Sequence, residues 1–176
     1  ADRRRQDRGH PPRDPQAQLI KKGKHSVTQP DGTKKMVERQ YRGYKSHMSL
    51  NAETGLVTSL VPTAGSTADN QPFPKLLAHD GALAVRAEIY TGDKAYDDTD
   101  LHYRLWEKGK HSALRLKQTR TRKKDANTEL WLKLEQTPEY QAGLNERYKI
   151  ERKFGEAKRW HGFGRCRYLG LVRYGI

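Results

Sequence analysis

Apolar residues come in short clusters separated by charge, and their spacing switches between two-fold and helical along the chain. Residues 41–50 alternate, with Tyr44, Ser46, Met48 and Leu50 on one face, which predicts a strand. Residues 51–55 make a turn of hairpin size, and 56–62 predict the returning strand. A helix is predicted over 70–79, with Phe73, Leu76 and Leu77 on its buried stripe. A strand over 85–91 follows, ending at Gly92-Asp93. Asp98 or Thr99 can cap the next helix, which carries Leu101, Leu105 and Trp106 and ends at Gly109. A short strand at 113–116, a helix over 127–135 and a longer one over 143–161 complete the pattern. A strand hairpin followed by alternating helices and strands predicts an α/β domain with a mixed sheet.

Residues 1–40 follow no such pattern and read as a basic arm or loop region, partly disordered, before a domain over 41–176. A turn is expected at Pro30-Asp31-Gly32, with packing only at Leu19-Ile20 and Met36-Val37. No apolar run approaches the roughly 20 residues of a membrane span. The arginine-rich amino end is followed by no apolar stretch of the kind a secretory signal needs. No membrane partner is therefore expected.

Charge changes the picture most. Lys and Arg number 35 against 21 Asp and Glu, a formal net charge of +14, which favours a polyanionic partner such as nucleic acid. The apolar content of 34% allows a core, but not a generous one. The lone Cys166 excludes an internal disulfide and fits a reducing compartment. The seven histidines have no partners at zinc-finger spacing.

Two constellations can carry chemistry. Asp93 follows a glycine at the carboxyl end of a predicted strand, where open α/β sheets gather ligands. A carboxylate there suits a phosphate-bound Mg²⁺, but position alone favours an Asp that opens a turn or caps the next helix. On the predicted long helix, Arg147, Glu151 and Lys158 fall within an arc of roughly 40°. Ile150, Phe154 and Ala157 form an adjacent apolar stripe. The same spacing also fits an i,i+4 ion pair on a solvated face.

Asp93-Lys94-Ala95-Tyr96-Asp97 resembles the D-K-G-Y-D segment around the second acidic residue of bacterial insertion-sequence transposases of the D-D-E class. Arg147, Glu151 and Lys158 are similar to that group's R-x3-E-x6-K signature, whose glutamate is the third acidic ligand. Leu144 stands where the signature usually begins with tyrosine. Asp14-Pro15-Gln16-Ala17, Lys21-Lys22-Gly23-Lys24, Gly43-Tyr44-Lys45-Ser46-His47 and Glu53-Thr54-Gly55-Leu56-Val57 resemble further segments in the expected order. Asp69 falls at the group's helix-opening aspartate, and the likeness runs from Asp14 to Arg173. The first acidic residue of the group lies on a strand upstream of D-P-x-A. Asp2 and Asp7 are in place by order but lack apolar neighbours, so neither takes the role.

The resemblance implies a ribonuclease-H-like fold, a mixed sheet of about five strands with helices on both faces, present here as a fragment incomplete at both ends. It also implies transposition of an insertion sequence by metal-dependent cleavage of DNA and strand transfer. Asp93 and Glu151 become metal ligands, with Arg147 and Lys158 beside them in the catalytic set. The cofactor implied is Mg²⁺, or Mn²⁺ in its place. The implied partner is duplex DNA, as terminal repeats and target, and the active complex is a homodimer in the bacterial cytoplasm, associated with the nucleoid. Lys45, Lys94, Lys117, Arg120, Arg122, Lys123 and Lys124 become DNA contacts that position the backbone without reading sequence. With the first acidic ligand missing, the chain alone is expected to be inactive. Two other readings share the charge and fold: a truncated transposase acting only as a DNA-binding module, and a ribonuclease-H-like nuclease.

Overall fold

Among the described residues five stretches become strands, but they form two sheets rather than the single mixed sheet expected. The computed structural model describes residues 13–122, 127–165 and 167–175, with the backbone alone at Thr121 and Arg122. Asp2, Asp7, Lys123, Lys124 and Cys166 lie outside the described residues, as does the side chain of Arg122. Strands β1 (Gln18–Thr28), β2 (Lys34–Leu50) and β3 (Val57–Ala64) form one antiparallel sheet in that order. Strands β4 (Ile89–Gly92) and β5 (His111–Leu114) form a separate parallel pair. Part of the reason is local. Ala84 adopts a left-handed conformation (φ 52°), and the Val85 amide donates to the Asp80 carbonyl at 2.9 Å. The chain is still turning where β4 was expected to begin, so only four residues remain to pair.

Residues 21–39, expected as loop, are largely a hairpin. Ten cross-strand pairs run from Gln18 opposite Gly43 to Thr28 opposite Lys34. The expected turn closes it: the Gly32 amide donates to the Gln29 carbonyl at 3.0 Å, and Asp31 accepts from the Thr33 amide at 2.9 Å. Most of the hairpin is exposed on both faces, so its sequence lacks the apolar alternation that marks a half-buried strand.

The chain divides into two compact units. One takes the described residues within 1–45, 62–67 and 166–176; the other is 46–61 with 68–165. In the first, the Asp14 carboxylate accepts from the Tyr44 hydroxyl at 2.7 Å and the Gly170 amide at 3.0 Å. These bonds, led by the Gly170 amide, hold that carboxyl below its ordinary range. Tyr44 stacks on Tyr174 of α7 (Leu171–Tyr174).

The second unit is built on the parallel pair. Alternation sends Tyr90 and Leu114 to one face, where α1 (Phe73–Ala82) and α2 (Thr99–Glu107) bury Phe73, Leu77, Leu101 and Leu105. Ile89 and Ala113 point the other way, into a second cluster with Leu116, Trp131 of α4 (Thr128–Glu135), and Tyr140. Tyr140 belongs to α5 (Pro138–Glu146), and α6 (Tyr148–Trp160) follows at once. The helix expected over 143–161 thus starts earlier and is interrupted at Arg147, whose dihedrals (φ −58°, ψ −31°) remain helical. Thr137 caps α5, and Pro138 supplies a first-turn residue with no amide to satisfy. No helix among the described residues is long and apolar enough to cross a membrane.

Gly143 fixes α5 to the sheet. A Cβ at this position would stand 2.3 Å from the Ala113 Cβ and 3.0 Å from Ile89 Cγ2. Gly155, in α6, has nothing within 4 Å of such an atom. The same substitution should therefore have opposite effects. Gly143→Ala should lower unfolding free energy by about 1–3 kcal/mol through overpacking. Gly155→Ala should raise it by up to about 1 kcal/mol through helix propensity. Urea denaturation of both variants checks the pair of signs.

Candidate active site

Strand β4 ends at Gly92, and Asp93 is the next residue. A side chain at Gly92 would come within 2.9 Å of Leu114 Cδ2, so core packing is reason enough for glycine here. Asp93 opens the 3₁₀ turn Lys94–Tyr96, its Oδ1 accepting from the Lys94 amide at 2.6 Å. The turn-opening role is thus real. Ala95, where the resemblance expects glycine, lies within this turn, and its φ is not positive, so alanine is accommodated without strain.

Arg147 and Glu151 arrive from the helical layer. The i,i+4 ion pair forms, with Arg147 Nη1 2.8 Å from Glu151 Oε1. The same nitrogen lies 3.9 Å from Asp93 Oδ1. The guanidinium is mostly covered, its side chain 23% exposed, whereas the Asp93 and Glu151 carboxylates are 54% and 60% exposed. One cation thus joins two accessible carboxylates that are 58 residues apart in sequence. All three line a cleft of about 930 Å³, together with apolar side chains including Leu50, Ile89 and Phe154. Lys149 Nζ donates to the Ala52 carbonyl at 2.9 Å, tying the start of α6 to the β2–β3 turn. Lys158 and Lys94 are exposed.

The donor set can be weighed against a divalent ion. Asp93 and Glu151 offer hard, solvent-facing oxygens, and Mg²⁺ commonly binds through one or two carboxylates while keeping several waters. They fit a single ion of this kind. A pair of ions needs more: among the described residues, no group of three or more His, Cys, Asp or Glu side chains could hold a metal.

Beneath this edge is a buried polar network that spacing did not announce. Asp97, 2% exposed, closes the segment opened by Asp93. Its Oδ1 meets Arg120 Nε at 2.6 Å and His102 Nε2 at 3.2 Å, and its Oδ2 accepts from the Lys117 amide at 2.7 Å. Lys117 Nζ donates to the Asp97 carbonyl at 2.9 Å. His102 is fully buried, and its Nδ1 lies 2.8 Å from the Ser112 hydroxyl. Arg120 also donates to Thr99 Oγ1 and lies over the Trp131 ring, 4.5 Å from its centroid. Because β4 and β5 are parallel, the chain leaves both at one edge, and Asp97 ties the two exits together. The basic stretch expected as loop begins with the short helix α3 (Gln118–Arg122). Lys117 and Arg120 are engaged inside the protein, and in the other unit Lys45 Nζ donates to the Thr67 carbonyl at 2.9 Å. The only sequence signal for this network was the second aspartate of the D-K-A-Y-D segment.

Together these features define an α/β domain that presents an arginine-linked acidic pair at the carboxyl end of a parallel strand pair. The chain belongs to the transposase DDE domain family, which it matches over residues 8–173. No curated protein and no solved structure is significantly similar to it. Transposases of this family act on DNA and generally use divalent metal ions.

Burial alone would raise the Asp97 carboxyl, but bonds from His102, the Lys117 amide and Arg120 outweigh it and hold it below the ordinary 3.8. A carboxyl lowered on folding stabilises above its unfolded value, and that stabilisation is lost as pH falls through the folded one. Wild-type stability should therefore decline more steeply between about pH 5 and 2 than that of Asp97→Asn, measured by urea titration. At neutral pH, Asp97→Ala should cost up to about 3 kcal/mol, because it removes the charged acceptor from buried His102, the Lys117 amide and the mostly covered Arg120 guanidinium.

Proposed function

We propose that the chain is the catalytic portion of an insertion-sequence transposase with a ribonuclease-H-like core in residues 41–176. Asp93 and Glu151 would be two of its acidic metal ligands. The observation that carries this reading is the convergence of both carboxylates on Arg147 at the carboxyl end of β4. Two carboxylates held together in water repel one another, and a shared cation offsets that repulsion. When bound, Mg²⁺ or Mn²⁺ would activate a water or DNA 3′-hydroxyl and stabilise the leaving oxygen of an in-line displacement.

The chain's own residues do the rest. Asp93 holds one oxygen on the Lys94 amide, which fixes the orientation of its carboxylate. Arg147 holds Glu151 and, with its planar fork, can transfer a hydrogen bond to a phosphate oxygen. Lys158 and Lys94, both exposed, supply point charges for the DNA backbone. The active complex would be a homodimer on duplex DNA, with Arg122, Lys123 and Lys124 as further backbone contacts.

A second reading, a DNA-binding module without catalysis, is favoured by one observation: only two carboxylates meet at the site among the described residues. The two readings separate on metal binding, since neither expects strand transfer from this chain alone. With two acidic ligands, calorimetric titration should detect at most one Mg²⁺ or Mn²⁺, bound in the millimolar range. Strand-transfer assays on candidate terminal repeats should yield no product from this chain. Two tightly bound ions with robust transfer, abolished by Glu151→Gln, would sink the DNA-binding reading and require a further ligand among Asp2, Asp7 and Asp14. Alanine substitution at each would identify it.

A further inference from the structure

We propose that the β1–β2 hairpin is a DNA-contacting surface of its own, gripping the phosphate backbone of a duplex without reading its bases. The inference rests on the transposase reading for the identity of the polyanion. It stands on different residues from the acidic site.

From Gln18 to Gly43 the hairpin carries seven Lys and Arg against two acidic residues, Asp31 and Glu38. That ratio is well above the 35 to 21 of the whole chain. The register places these cations. Lys22 stands directly opposite Arg39, both exposed, a like-charge cross-strand pair. Such pairs destabilise a sheet, and an opposite-charge or aromatic pair would do better. A bound phosphate between or beside the two would reverse the sign of that interaction.

The pairing shift between Lys22 and Lys24 adds to this arrangement. Lys21 is opposite Gln40 and Lys24 opposite Glu38, so Lys21 and Lys24 share a face although they are three residues apart. The inserted residue, Gly23, has φ 45°, a conformation that glycine adopts freely, and nothing lies within 4 Å of where its Cβ would be. Lys34 and Arg42 are on that face too, by alternation along β2, whereas Lys22, Arg39 and Lys35 are on the other. The exposed Tyr41 neighbours Arg39 on the second face and can lie against a sugar or base edge. Both faces thus carry cations; Glu38 lies 3.7 Å from Lys21 and opposite Lys24, so one carboxylate serves two lysines. A two-stranded ribbon is narrow enough to enter the major groove, where phosphates flank both of its faces. A ribbon packed on protein, or merely kept soluble, needs no such two-sided distribution.

The test uses the full chain, a short labelled duplex of arbitrary sequence and a salt series. Each phosphate contact contributes roughly 0.9 to the slope of log affinity against log salt, so Lys22→Gln/Arg39→Gln should flatten it by about 2. Affinity at low salt should fall several-fold. The thermal midpoint should hold or rise, because a repulsive pair has gone. Lys75→Gln/Lys108→Gln, which neutralises two exposed cations of the other unit, should leave the slope near wild type. If the hairpin variant keeps the wild-type slope, or both variants lose the same amount, the hairpin is not a specific contact and the inference is overturned. If the wild-type chain binds no duplex at all, the transposase reading falls first and the hairpin's role with it.

Discussion

The close approach of α5 to the parallel strand pair is the contact on which the candidate site depends. Gly143 lets the helix backbone rest against Ala113 and Ile89, with no side chain between. Tyr140, one turn earlier, locks the same interface by accepting from the Leu116 amide at 3.0 Å. Arg147 is one turn later, so its reach to Asp93 is set by how closely that helix lies on the sheet. Glu151 then follows through its i,i+4 contact with Arg147. Moving α5 outward by the width of a methyl group would pull the arginine away from the Asp93 carboxylate, already 3.9 Å distant.

A second constraint acts beneath the same edge. Asp97 is buried with a full complement of donors, of which the Lys117 amide and Arg120 come from the exit of β5 and His102 from α2. Removing a charge from water is costly unless hydrogen bonds replace the lost hydration, which is why Arg120, His102 and the Lys117 amide all point to it. The result is that the two loops leaving β4 and β5 are held as one unit. Asp93 belongs to the first of those loops. The position of Asp93 is therefore set partly by a buried residue that does not line the cleft.

The acidic pair and the hairpin follow different physical logics. At the site, like charges are held together and offset by a cation from the protein. On the hairpin, like charges are held together with little internal offset, which leaves the balance to a polyanion. Both arrangements cost folding stability, and both gain from a ligand of opposite sign. For a protein of a DNA-transposing family, the ligands at hand are metal ions and phosphate.

Much of the second unit was legible in the sequence because its signals are local. The helix with Phe73, Leu76 and Leu77, the capped helix at Asp98 and the strand ending at Gly92 depend on periodicity and caps that short segments carry themselves. The spacing of Arg147 and Glu151 likewise fixed their shared face. The charge balance favoured a polyanionic partner. What the sequence left open was everything decided by pairing at a distance. Residues 21–39 form a hairpin because of backbone bonds between strands, and those bonds do not require an apolar pattern when both faces meet water. β4 is only four residues long because the backbone is still turning at Ala84 and Val85, and it pairs with β5 alone. Whether Asp93 caps a turn or meets Glu151 could not be read from either segment alone. Only the seating of α5 on the sheet, through a glycine with no side chain to hold it off, brought both carboxylates to one arginine.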